Sequence, residues 1–139
     1  MLKLPTINNL SIYLIGTGGT GGFAFTNLVR LLAGADVPIS IYDGDIVEPK
    51  NLKRQQFGKY DIDSPKAQAL ADWASRTILD CPPIGVINDY LTDGDEFLAG
   101  ICLSTPGDAI PLIISAVDNV ATRKLINQAL EDLPEYIAI

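Results

Sequence analysis

The sequence predicts an α/β fold: a doubly wound, mainly parallel sheet of about five strands with helices on both faces. Three observations predict it. Short apolar runs alternate with amphipathic segments of helical period, in the order β-α-β-loop-α-β-α-β-α-β. The first apolar run, Leu10 to Ile15, leads straight into Gly-Thr-Gly-Gly-Thr-Gly-Gly at residues 16 to 22, and an amphipathic stretch follows. Finally, Ile110 to Val117 is strongly apolar, as a parallel strand covered on both faces should be.

The elements follow in chain order. The first strand is expected at Ser11 to Ile15. The first helix is expected from Thr20 to Ala33, with Phe23, Ala24, Leu28, Leu31 and Leu32 on its apolar face and Gly34 as its stop. The second strand covers Pro38 to Tyr42. A connection from Gly44 to Asp63 is long enough to suggest function, with room for a short helical turn. Ser64 is expected to cap the next helix, with Pro65 in its first position. That helix buries Leu70, Trp73, Ala74, Thr77 and Ile78 and ends at Cys81-Pro82-Pro83. A third strand spans Ile84 to Asn88, and a short helix Asp93 to Ala99. Residues 102–109 read as a loop. After the fourth strand, Asp118-Asn119 precedes a helix from Val120 to Leu130, carrying Leu125, Ile126, Ala129 and Leu130 on one side. Tyr136 to Ile139 reads as a fifth strand. The chain stops inside this apolar run, which suggests either a trimmed chain or a short edge strand.

Length and composition favour one domain over residues 1–139, with 47% hydrophobic and 19% charged residues. No apolar run is long enough to span a bilayer, and Met1 to Asn9 lacks the apolar stretch of a signal peptide, so no membrane association and a cytoplasmic location are expected. With no histidine, His-based triads and His metal sites are excluded. Cys81 and Cys102 lack the spacing of a zinc site or redox pair, and read as ordinary cysteines. The net charge of −7 is uneven: residues 1–70 carry seven basic and six acidic groups, residues 71–139 three and eleven. An acidic chain is a poor non-specific binder of nucleic acid, and none is expected as a partner. Lys50, Lys53, Arg54, Lys59 and Lys66 nevertheless fall close together, either as a solvated loop or as an anion site.

Gly16, Gly18 and Gly21 fit G-x-G-x-x-G in its strand–turn–helix setting, which makes the fold Rossmann-like. Gly16 permits the sharp turn, Gly18 admits a phosphate close to the backbone, and Gly21 lets helix and strand pack closely. Together with Gly19 they form a candidate phosphate cradle at a helix N-terminus. Asp43 follows Gly21 by 22 residues, where a ribose-binding acid is expected. These features fit NAD as well as ATP. Arg54, Asn51 beside it, and Lys66 at the next helix start suit a triphosphate better than a pyrophosphate. Asp118, at the end of the fourth strand, is placed to hold Mg²⁺ on ATP; its alternative role is a helix cap, which also suits Asn119. Arg123 either borders the site or faces solvent, and solvent is the favoured reading.

Asp43-Gly-Asp45-Ile-Val-Glu-Pro-Lys-Asn51-Leu-Lys-Arg54-Gln55, Ser64-Pro65-Lys66 and Val117-Asp118-Asn119 with Arg123 carry a resemblance to the ThiF/MoeB/E1 family of ATP-dependent activating enzymes. The resemblance covers about residues 10–139. It implies that Asp43 binds ribose, that Asn51, Arg54 and Lys66 hold the triphosphate, and that Asp118 coordinates Mg²⁺ with Asp45 nearby. Gln55 and Asn119 belong to the same motifs. The implied activity is adenylation of the C-terminal carboxylate of a ubiquitin-like or sulfur-carrier protein, with ATP and Mg²⁺, in what many relatives arrange as a homodimer. The chain departs from the family pattern in lacking an arginine before the first strand and the family's second half with its thioester cysteine. A non-catalytic scaffold of the same fold, and an NAD-dependent oxidoreductase, are the alternatives.

Overall fold

The computed structural model describes residues 7–139. The reading of Met1 to Asn9 as lacking a leader falls mainly outside the described residues. Five strands form one sheet: β1 (Leu10–Ile15), β2 (Ile39–Tyr42), β3 (Ile84–Ile87), β4 (Ile110–Ser115) and β5 (Ile137–Ala138). Every pairing is parallel, in the order β3-β2-β1-β4-β5. β1 is central because it is apolar on both sides. Ile12 and Leu14 enter one core, and Tyr13 and Ile15 the other. The chain winds outward from β1 through β2 to β3, then returns to lay β4 against β1's other edge. That reversal opens a crevice beyond the carboxyl ends of β1 and β4.

Helices α1 (Gly19–Leu31) and α2 (Lys66–Thr77) cover the Ile12 and Leu14 face, while α3 (Gly94–Ser104) and α4 (Val120–Leu130) cover the Tyr13 and Ile15 face. The face α1 buries differs from the one expected. Phe25, Thr26, Val29 and Leu32 are buried, whereas Phe23 and Leu31 are exposed. Gly21 and Gly22 set this rotation. A Cβ on Gly21 would stand 1.8 Å from the Gly16 carbonyl oxygen, and one on Gly22 3.1 Å from the Thr17 carbonyl oxygen. The helix therefore lies with its glycines against the β1 turn, and residues 25, 29 and 32 follow on the same side. Gly34 adopts φ +79° and donates its N–H to the Asp80 carbonyl, ending the α1 segment in a left-handed residue.

α2 begins at Lys66, with Pro65 as its capping position and no side-chain cap; the expected Ser64 cap is not made. Ser64 is engaged through its backbone instead, donating to Asp61 and accepting from Val47, while the Lys66 N–H donates to the Asp45 carbonyl. Thr77 is exposed, and Lys66, Ala67, Ala69, Leu70, Ala71 and Ala74 form the buried face. α3 runs to Ser104, so residues 102–104, expected in a loop, are helical. The Tyr13 phenol, fully buried in the sheet, explains the extension. It lies 2.7 Å from both Ser104 Oγ and Thr105 Oγ1, shorter contacts than the 3.3 Å ones it makes with Ser11 Oγ and the Ile101 carbonyl, so its polar end favours a helix that reaches that far. Thr105 is then forced extended by Pro106. Asp93 caps α3 through the Asp95 and Glu96 amides. The connection after β2 contains 3₁₀ turns at Pro49–Asn51 and Lys59–Asp61. No described helix is long and apolar enough to cross a membrane.

Candidate functional site

A cleft of about 480 Å³ lies beyond the carboxyl ends of β1, β2 and β4. Its floor is the turn from β1 into α1. Gly16 adopts φ +90°, with its absent Cβ 3.0 Å from the Ala116 carbonyl oxygen, so β4 lies hard against the turn. Gly18 and Gly19 line the cleft and differ from Gly21. A Cβ on Gly18 would meet only Gln55 Nε2, at 3.7 Å, and one on Gly19 only the Arg54 carbonyl, at 3.9 Å. The protein leaves that space empty, and the α1 N-terminus faces it with no side-chain cap. A phosphate fits there, where a capping side chain would otherwise stand.

Asp43 leaves β2 and turns back to the β1 loop. Its Oδ2 accepts from the Thr17 amide and the Thr17 hydroxyl, both at 2.7 Å, and its Oδ1 from the Asp45 amide at 2.8 Å. A carboxylate offers about four acceptor sites, so Oδ1 keeps capacity for one further donor such as a sugar hydroxyl. Asp45 turns the other way. Its Oδ2 accepts from Lys66 Nζ at 2.8 Å and its Oδ1 from the Tyr90 phenol. Lys66, then Tyr90, hold the Asp45 carboxyl below its ordinary value, while the Asp45 carboxylate raises the Tyr90 phenol. Lys66 is buried with only 7% of its side chain exposed, and it lines the cleft; Asp45, at 48%, sits at the rim. A desolvated ammonium with one carboxylate partner has two N–H donors left for an anion.

The opposite wall comes from β4 and the turn into α4. Asp118 is exposed and lines the cleft, and no salt bridge engages it among the described residues. Asn119 also lines the cleft but spends its Oδ1 on the Ala121 and Thr122 amides, as the α4 cap. Arg123 is exposed and does not line the cleft, though its Nε donates to the carbonyl of Val117, which does. Tyr42, behind Asp43, has its phenol pushed up to about 12, first by burial and then by Tyr13.

Asn51 and Arg54 do not line the cleft. Asn51 is buried, its Oδ1 accepting from the Glu48 amide and its carbonyl from the Arg54 and Gln55 amides. It builds the turn instead of facing a ligand. Arg54 is exposed on that turn, with its backbone beside Gly19. Gln55 does line the cleft, and its buried Oε1 has no partner, an acceptor that a bound ligand would satisfy. The sequence reading missed Thr17, Tyr90, Asp89 and Leu91, all at this end of the sheet. Only the position of residues 89–91 just after β3 could have drawn attention to them.

The fit to Mg²⁺ rests on the donor set. Among the described residues no group of three or more His, Cys, Asp or Glu is arranged to hold a metal. A single free carboxylate at a phosphate-sized cradle suits a cation whose other ligands are phosphate oxygens and water.

Comparison with known proteins agrees with this architecture. The chain is 29% identical over 136 residues to ubiquitin-like modifier-activating enzyme 5 of Oryza sativa subsp. japonica, covering 91% of this chain and 31% of that protein. It is 28% identical over 117 residues to adenylyltransferase and sulfurtransferase UBA4 of Yarrowia lipolytica, covering 84% and 26%. The chain thus spans about a third or less of these relatives. In fold it superposes on E. coli tRNA N6-threonylcarbamoyladenosine dehydratase TcdA, solved with AMP, with a TM-score of 0.77 at 21% identity, covering 94% of this chain and 50% of that one. The ThiF family pattern matches residues 3–134, nearly the whole sequence, and the chain belongs to the ThiF family.

Proposed function

We propose that this chain is the nucleotide-binding part of an enzyme that uses Mg²⁺-ATP to adenylate the C-terminal carboxylate of a ubiquitin-like or sulfur-carrier protein. The observation that carries the reading is one cleft in which an open glycine turn, a restrained Asp43, a buried Lys66 and a free Asp118 converge. Family membership supports it, as do the activities for which the similar enzymes are named.

In this reading Asp43 Oδ1 accepts a ribose hydroxyl, and Gly16, Gly18 and Gly19 with the α1 N-terminus seat the phosphates. Lys66 places positive charge on them from a buried position, where its effect is least screened. Arg54, outside the cleft on the neighbouring turn that Asn51 shapes, adds positive charge beside the phosphates, and Gln55 donates to them from Nε2, the atom that faces the space at Gly18. Asp118 holds Mg²⁺, with Asp45 nearby and Asn119 fixing the turn. Bound Mg²⁺ neutralises phosphate charge. The carrier carboxylate forms a bond to the α-phosphorus as the bond to pyrophosphate breaks, and pyrophosphate carries away the electron pair. No proton transfer by the protein is required, which suits a site without histidine. A carrier protein as partner, homodimerisation and a cytoplasmic setting belong to the same proposal.

The test is ATP–pyrophosphate exchange by the full-length protein with candidate carrier proteins and Mg²⁺, alongside thermal shifts with Mg²⁺-ATP and with NAD. Exchange and an ATP-specific shift are expected. A shift with NAD alone would transfer the site to an oxidoreductase. ATP binding without exchange for any carrier would favour a scaffold.

A further inference from the structure

We propose that Tyr90 is a positioning residue for Lys66, acting through Asp45. This deepens the nucleotide reading above and rests on it. Among the described residues Lys66 Nζ has one acceptor, Asp45 Oδ2 at 2.8 Å, and the other oxygen of that carboxylate accepts from the Tyr90 phenol. The two bonds use opposite oxygens, so the phenol fixes the carboxylate's rotation and the carboxylate fixes the ammonium. The Asp45 backbone is held in turn: its N–H donates to Asp43 Oδ1, and its carbonyl accepts the first amide of α2. One chain of hydrogen bonds therefore ties the loop after β3 to the start of α2 and to the turn after β1, where Thr17 completes it.

Tyr90 is a lateral brace and not part of the core. It is 61% exposed, while the ammonium it serves is buried. Its ring seats on Gly44, where an added Cβ would come within 2.5 Å of a ring carbon, so the glycine between Asp43 and Asp45 is the socket for this ring. An exposed tyrosine with its ring in a glycine socket and its hydroxyl on the rim carboxylate of Asp45 contributes little to the hydrophobic core. What it changes is how firmly Lys66 is presented. A lysine carries several rotatable bonds, and holding its head in place before phosphate arrives lowers the ordering cost of binding.

The experiment is a double-mutant cycle on the full-length protein, with ATP and adenosine affinities measured by calorimetry. Tyr90→Phe keeps the ring on Gly44 and removes the hydroxyl. It should weaken ATP roughly three- to tenfold, the scale of one hydrogen bond, and leave adenosine unchanged. In a Lys66→Met background the same change should have no further effect on ATP. Gly44→Ala, which evicts the ring, should reproduce the selective loss. Equal losses for ATP and adenosine, an undiminished loss in the Lys66→Met background, or no loss at all would overturn the proposal while leaving the nucleotide site standing. Failure of the unsubstituted protein to bind ATP or adenosine would instead overturn the nucleotide reading, and this inference with it.

Discussion

Gly18 and Gly21 belong to one motif, yet the structure predicts opposite consequences for replacing them. In Gly21→Ala the new methyl carbon would stand 1.8 Å from the Gly16 carbonyl oxygen, 2.8 Å from its carbonyl carbon and 3.1 Å from the Ala116 methyl. The first contact is roughly 1.4 Å inside an ordinary carbon–oxygen separation, and neither a backbone carbonyl nor a Cβ fixed to its own backbone can swing away. Relief requires moving α1 off β1, at a cost of about 4 kcal/mol, beyond the usual range of about 1–3 kcal/mol for overpacking because the overlap is so deep. Alanine's better helix propensity returns about 1 kcal/mol. The net loss of about 3 kcal/mol, in a chain where each kcal/mol shifts the midpoint by roughly 3 to 4 °C, lowers Tm by about 10 °C. In Gly18→Ala the methyl meets only Gln55 Nε2 at 3.7 Å, an ordinary contact. The remaining cost is that of alanine at a cap position, at most about 1 kcal/mol, or about 4 °C. The same methyl occupies the space kept for phosphate, so ATP affinity should fall at least about tenfold. Thermal unfolding by circular dichroism and calorimetric titration with ATP separate the two effects. A Gly21→Ala protein melting within about 2 °C of the unsubstituted one would refute the packing argument. A Gly18→Ala protein as unstable as Gly21→Ala but with intact ATP affinity would refute the assignment of the space beside Gly18.

Lys66→Met should change stability little, since it exchanges a buried ammonium for an apolar chain of similar length and leaves Asp45 at the rim, yet ATP affinity measured by calorimetry should fall at least about tenfold. Asp118→Asn should weaken binding of Mg²⁺-ATP while leaving ATP measured in a chelator unchanged or slightly tighter, because one repelling charge is gone; equal effects with and without Mg²⁺ would remove Asp118 as the cation's ligand. The Asp45 carboxyl, held below its ordinary value of 3.8 by Lys66 and then Tyr90, binds its proton less readily folded than unfolded. Its contribution to stability is whole above that value and is lost as pH falls through the folded one. The urea-unfolding gap between the unsubstituted protein and Asp45→Asn should therefore shrink between about pH 6 and about pH 3. A gap that widened on acidification would reverse the assigned cause.

The residues that act through their neighbours in sequence were readable without coordinates. Leu10 to Ile15 followed by the glycine run implies strand, turn and helix, because apolar period and glycine freedom are local properties. The alternation that follows implies parallel pairing, because parallel strands need crossovers. Asp43 and Lys66 were legible as candidates for the same reason: each ends or begins an element on the side where such sheets gather ligands, and the structure places both in one cleft.

Tertiary structure decided which faces those elements present and which side chains meet. The α1 face follows from Gly21 seating on the Gly16 carbonyl, and helical period alone favoured Phe23 and Leu31, which are exposed. The end of α3 meets a buried phenol 91 residues away from Ser104, and no local signal carries that contact. Asn51 and Arg54 look like a matched pair of phosphate donors in the sequence, but the first is buried as the brace of its turn and the second stays outside the cleft. Tyr90, unremarkable in sequence, meets Asp45 across 45 residues because parallel β2 and β3 end side by side. The sequence alone determined the glycine turn, the parallel and doubly wound character of the sheet and the chemical types available to the cleft, since these follow from local sterics, period and the alternation of elements. Which carboxylate holds which cation, and which glycine is packed and which left open, depended on distances between segments far apart in the chain, which only the assembled sheet sets.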